Sequence, residues 1–134
     1  MKSKVRTIEE YSEKLDRLLR SRKLRIETGL SSRLPDEPGI YRISEHGSRW
    51  TRSIYVGQGA DLRRRVWRNH VAGSRRVSTL KRKLINAGQF EDEEAVRRYL
   101  ERSCVVQAMV VNDEAFRDGL EHFAIAVLRP RWND

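Results

Sequence analysis

Two short runs, Ile40–Ser44 and Ser53–Gly57, constrain this chain more than any other feature. Each is rich in β-branched and aromatic residues, and an eight-residue break, EHGSRWTR, separates them. Strand-formers this close, joined by a polar link, fold back on each other as an antiparallel hairpin. Alternation along a strand puts Tyr41 on the side of Ile43 and away from Ile40 and Arg42, and it turns Tyr55 away from Ile54 and Val56. A register that sets both phenols on one side makes them converge beside Gly39 and Gly57, where a missing Cβ would let a ligand approach.

The remaining elements cover such a hairpin. TIEE at Thr7–Glu10 has the pattern of a capping box, so a helix is expected to start there. Ile8, Tyr11, Leu15 and Leu18 give that helix a narrow apolar stripe, ending near Arg25. Gly29, Ser31, Ser32, Pro35 and Pro38 then read as a connection, dividing an N-terminal helical arm (1–35) from a body (36–134). Asp61 caps a helix to about Ala72, Ser78 opens another that ends at Gly88, and DEEAVRRYLER (92–102) forms a third. CVVQAMVV (104–111) reads as a buried strand, and a last helix from about Asp113 stops at Arg129, because Pro130 disfavours α geometry in the residue before it. The result is an α+β domain: a small three-stranded antiparallel sheet flanked by helices.

Charge narrows the function classes. The chain carries a net charge of +9, with 22 Lys/Arg against 9 Asp/Glu in residues 1–88 and 6 against 10 in residues 89–134. Leu62–Phe90 holds nine basic residues (Arg63, Arg64, Arg65, Arg68, Arg75, Arg76, Lys81, Arg82, Lys83) and no acid. A block with no internal neutralising partner calls for a polyanion, and nucleic acid is the commonest. A membrane surface fits less well, since the block lacks a broad apolar opposite face. No window approaches the ~20 apolar residues of a membrane span, and MKSKVRTIEEYSEKL has no apolar signal region, so a cytoplasmic location is expected. The single cysteine, Cys104, lies in an apolar run and reads as a small core residue. His46 and His122 read as turn and helix surface.

Arg65, early in a helix after the second strand, offers a planar fork of donors to a phosphate. Glu121 is an acid amid Leu120, Phe123, Ala124 and Ile125, and a candidate ligand for a hard divalent cation. GIY (Gly39, Ile40, Tyr41), YVG (Tyr55, Val56, Gly57), an arginine eight residues later (Arg65), a late glutamate (Glu121) and P-x-W-N (Pro130, Trp132, Asn133) occur in that order. Over about residues 36–134 the sequence resembles the GIY-YIG endonucleases, and most of all their small stand-alone phage-type or restriction-like members.

The resemblance implies Mg²⁺- or Mn²⁺-assisted hydrolysis of DNA phosphodiesters, with one ion per site held by Glu121. Arg65 would take a non-bridging oxygen, and Tyr41 would deprotonate the attacking water, its phenolate favoured by cationic surroundings. Tyr55 would position water or phosphate, and Asn133 would tie the C-terminal segment to the site. The basic helices, with Gly39, Gly57, Gln58, Arg63, Arg64, Arg68, Asn69, Arg75, Arg76, Lys81, Arg82 and Lys83, would meet the duplex. Two positions depart from the pattern. Asn69 stands where a histidine or tyrosine is frequent, with His70, a candidate catalytic helper, one residue on and rotated by ~100°, and Gln58 replaces a frequent lysine. A rival reading keeps the fold as a catalytically silent nucleic-acid-binding module, and the N-terminal stripe is a candidate surface for self-association into a homo-oligomer.

Overall fold

The computed structural model describes residues 3–47, 50–71 and 79–133, excepting the side chains of 68–71 and 79. Helix α1 (Lys4–Arg20) begins one turn earlier than the capping box suggests. The Ser3 side chain accepts from the Arg6 amide, and Thr7 instead donates its hydroxyl to the Ser3 carbonyl. Strand β1 (Leu24–Arg25) and the short helix α2 (Leu30–Arg33) follow. Strands β2 (Gly39–His46) and β3 (Thr51–Gly59) run further toward each other than propensity alone indicates, which shortens the predicted break. A π-helix spans Arg64–Val71, with Asp61 accepting from the Arg64 amide. Helix α3 (Thr79–Asn86), helix α4 (Glu93–Ser103, capped by Asp92), strand β4 (Cys104–Val110) and helix α5 (Glu114–Leu128, capped by Asp113) complete the order. Arg129 ends α5 in the left-handed region (φ 47°, ψ 59°), outside the right-handed helical basin that Pro130 denies it.

The sheet has four antiparallel strands in the order β1-β4-β2-β3, one more than expected. The extra strand, β1, lies where the first helix is expected to run on to Arg25, but α1 ends at Arg20: at two residues it is too short to show period-two alternation, and pairing with Val105 and Val106 of β4 alone creates it. The sheet therefore crosses the 1–35/36–134 boundary. A bulge between Ile43 and Ser44 in the β2–β3 ladder gives β3 an extra residue, Ile54.

Each face of the sheet buries its own core. One side packs Tyr41, Ile43, Tyr55 and Val106 under Leu62, Val66, Leu80, Leu84, Val96 and Leu100 from the helices. The other packs Ile40 and Val56 against Leu15 and Leu18 of α1 and Leu120 and Ala124 of α5. The α1 stripe is thus covered by its own sheet, with Tyr11 against Phe116 and Phe123 of α5, while Val5 and Ile8 stay exposed. A polar chain fastens the end of α1. Arg42 donates to Ser53 Oγ (2.8 Å) and Gln107 Oε1 (2.8 Å), and the Gln107 amide donates to the Leu19 and Ser21 carbonyls at 2.9 and 3.0 Å. Cys104 is buried, and loss of water pushes its thiol up to about 12, so it stays protonated.

Because Leu18 is fully buried between α1 and the sheet, Leu18→Ala is expected to cost ~2–5 kcal/mol in urea denaturation. A helix acting as an independent arm would give no such loss.

Candidate active site

The β2–β3 register puts Tyr41 opposite Gly57 and Ile43 opposite Tyr55, so both phenols stand on one face, diagonal to each other. Their ring centroids are 6.2 Å apart at an interplanar angle of 28°. Arg65, at the start of the π-helix, reaches back over them. Its Nε donates to Tyr41 Oη at 3.2 Å and its Nη2 to Tyr55 Oη at 3.5 Å. One guanidinium therefore bridges two phenols from two strands.

The glycines serve another purpose than the expected one. A Cβ on Gly57 would lie 2.4 Å from Tyr41 Oη, and one on Gly39 would lie 2.3 Å from the Met109 carbonyl and 2.5 Å from Leu62 Cδ1. The space they leave is filled by the protein's own side chains and by β4, not held open for a phosphate.

Tyr41 is completely buried. Loss of water raises its pKa well above the usual tyrosine range, outweighing the downward pull of Arg65, and the charges of Tyr55 and Glu121 add to the rise. The expectation that cationic surroundings favour a phenolate is corrected accordingly: one guanidinium does not offset full burial, and the phenol is protonated. Glu121 comes from α5, which packs on the face of β3 opposite the phenols.

Glu121 belongs to a cluster that sequence reading saw only in part. Ligand atoms of Asp118, Glu121 and His122 lie within 4.8 Å of one another. Gln58 Nε2 donates to Asp118 Oδ1 (3.0 Å) and Glu121 Oε1 (3.4 Å), and the buried Arg117 donates through Nε to Gln58 Oε1 (3.0 Å). Three- and four-residue spacings on one helix face were the available signal: 118 with 121 and 122, and 117 with 121. His122 is exposed, with Nδ1 2.8 Å from the Asp118 carbonyl; that hydrogen bond, then the Asp118 charge, raises its pKa.

Asn133 ties the C-terminal segment to β3. Its Oδ1 accepts from the Val56 amide (2.7 Å) and its Nδ2 donates to the Val56 carbonyl (2.8 Å), between Tyr55 and Gly57. The basic residues separate into two groups. Arg64 and Arg82 are exposed, and Arg63 donates to the Leu34 carbonyl while keeping an accessible guanidinium. Arg63, Arg64, Trp67, Ser31 and Asp61 line an open concavity. Lys83 donates to the Trp132 carbonyl, and Lys81 is 1% exposed beside α4, so Lys81 is a core residue of α3 rather than a surface cation. Arg75 and Arg76, and the side chains of Arg68, Asn69 and His70, lie outside the described residues.

Solved structures similar to this chain are GIY-YIG endonuclease domains. The GIY-YIG N-terminal endonuclease domain of UvrC from Thermotoga maritima, bound to its catalytic magnesium, is 25% identical, with 75% of this chain and 88% of that chain covered at a TM-score of 0.44. A point mutant of that domain, bound to its catalytic divalent cation, is 23% identical over 81% of this chain and 98% of that chain at a TM-score of 0.46. No family model and no curated protein matches the sequence. At these scores the likeness is one of general outline, and the chemistry is read from the chain's own residues.

Gly57→Ala must push Tyr41 out of its place under Arg65. The expected cost is ~1–3 kcal/mol in urea denaturation, with an altered near-ultraviolet tyrosine signal.

Proposed function

We propose that this chain is a divalent-cation-dependent endonuclease of the GIY-YIG type that hydrolyses phosphodiester bonds in DNA. The observation that carries the reading is the pair of hydrogen bonds from Arg65 to Tyr41 and Tyr55, the latter on a strand whose Gln58 holds the carboxylates of Asp118 and Glu121. A phosphodiester is already negative and gains charge on its oxygens as it is attacked, so a guanidinium on one side and a cation-binding carboxylate on the other suit it.

The donor set fits a hard cation: Asp118 and Glu121 supply carboxylate oxygens, with His122 within reach. A bound Mg²⁺ or Mn²⁺, one per site, would polarise the phosphate and stabilise the leaving oxygen. The chain's own groups do the rest. Arg65 exchanges its phenol contacts for a non-bridging phosphate oxygen, which uncovers Tyr41 toward the attacking water. Tyr41 first gives its proton to bulk solvent, a step that rising pH favours, and the resulting phenolate takes up the proton of the attacking water as its oxygen bonds to phosphorus and the leaving oxygen departs. Tyr55, next to Asn133-clamped Val56, orients the water or phosphate. The exposed Arg63, Arg64 and Arg82 hold the duplex backbone, a role that positions DNA without reading bases. Cutting both strands in one event needs two copies, and the exposed Val5 and Ile8 of α1 are where a second would sit. No helix among the described residues is long and apolar enough to cross a membrane.

The complete burial of Tyr41 favours a second reading, a nucleic-acid-binding module that does not cut. Supercoiled plasmid with Mg²⁺ separates the two. The wild type is expected to give nicked or linear product, Glu121→Ala to give none while still shifting duplex DNA in a gel, and Arg65→Ala to lose ~10²–10³-fold in rate. Binding without cleavage by the wild type would leave the silent module standing.

The pH dependence follows from the raised phenol. A general base works in its deprotonated form, and well below its pKa that fraction grows tenfold per pH unit. Cleavage is therefore expected to climb from about pH 6 to about pH 9 without a plateau, and Tyr41→Phe is expected to remove the climb along with most of the rate.

A further inference from the structure

Asp118 and Glu121 are neighbouring acids on α5, and two carboxylates held close repel each other. Their oxygens nevertheless face a single nitrogen, Gln58 Nε2, at 3.0 and 3.4 Å. That amide is itself fixed. Arg117 donates through Nε to Gln58 Oε1 at 3.0 Å, and its Nη1 is committed to the Val111 carbonyl at 3.1 Å and the Asn112 carbonyl at 3.5 Å. Arg117 is only 7% exposed, so it is held as firmly as the core around it. A glutamine whose oxygen is claimed by a guanidinium cannot flip, and its NH₂ group has to face the acids.

We infer that Gln58, locked by Arg117, is a positioning residue that holds Asp118 and Glu121 convergent, so that a divalent cation meets two carboxylates rather than one. The inference rests on the nuclease reading for the use made of that cation. The arrangement joins the two halves of the site: Gln58 follows Gly57 on the strand that bears Tyr55, while Arg117, Asp118 and Glu121 occupy adjacent turns of α5. A neutral amide suits this task. It offers N–H groups to both carboxylates without placing a positive charge where the cation must bind, as the lysine frequent at this place in the family would. Gln58, Glu114, Ala115 and Asp118 also line a concavity, which gives a hydrated ion a way in.

Gln58 is partly exposed at the end of β3, so Gln58→Met keeps its length without emptying the core. The test titrates Mn²⁺ calorimetrically into the full chain without DNA, and records melting with and without Mg²⁺. Partners that orient metal ligands typically contribute about 10- to 100-fold in affinity. Gln58→Met is expected to weaken Mn²⁺ binding by that factor, to melt like the wild type in chelator, and to require more Mg²⁺ for plasmid nicking. Arg117→Lys keeps the charge but loses the fork that fixes the amide, and is expected to weaken Mn²⁺ binding in the same direction; it decides the matter should Gln58→Met fail to fold. Unchanged Mn²⁺ affinity in a folded variant overturns the inference and leaves the nuclease reading intact, even if its melting temperature falls. A wild-type chain that binds no Mn²⁺ overturns the inference and the cation-dependent mechanism together.

Discussion

Tyr41 and Gly57 face each other in the β2–β3 ladder because a phenol lying across the neighbouring strand needs a partner with no side chain, and this pairing fixes the register on which the site depends. A slip of one residue would send Tyr41 to the α1–α5 side and break its alignment with Tyr55. The same pairing buries Tyr41 completely and leaves Arg65 to satisfy its hydroxyl. The guanidinium is thereby aimed at two phenols before any ligand arrives. The raised pKa of Tyr41 is a consequence of that enclosure, and ties its ionisation to whatever displaces Arg65.

The sheet works as a partition with two differently furnished sides. On one face the phenols are buried within an apolar core, with Arg65 hydrogen-bonded to both. On the other, α5 carries the acids, and α1 is fastened through Gln107 and Arg42. Strand β3 borders both, and successive residues serve each side in turn: Tyr55 and Gly57 on the first, Val56 and Gln58 on the second. A cleft at such a border can draw cationic donors from one face and anionic ligands from the other, with few opposite charges neutralising each other within one layer.

Much of this was legible in the sequence, for reasons that differ by element. The hairpin, α4, β4 and α5 announced themselves through β-branched runs, Asp caps and Pro130, which are local signals. Tyr41, Tyr55, Arg65, Glu121 and Asn133 stand out as candidates because their order along the chain is itself a pattern, and the structure brings Tyr41, Tyr55 and Arg65 into direct contact. Strand β1 was not legible, since two residues carry no periodicity and only β4 makes them a strand. The π-helix has no propensity signature separate from an α-helix. Lys81 read as one cation in a basic run because composition does not say which face of a helix a residue occupies. Gln58 looked like a missing lysine until Arg117, 59 positions away, was seen to fix its amide.

The segment after α5 lies along the outer side of β3. The Arg131 and Trp132 amides donate to the Ser53 and Ile54 carbonyls, and Asn133 occupies both backbone groups of Val56. A border strand left bare is a template on which other chains can zip up into fibrils or mispaired ribbons. Here a tripeptide shields that template along its middle, and uses an amide side chain to imitate the backbone of a fifth strand. Strand-to-strand polymerisation from this flank is thus blocked by the same residues that brace Val56 beside Tyr55, so colloidal safety and the rigidity of the candidate site depend on one short segment.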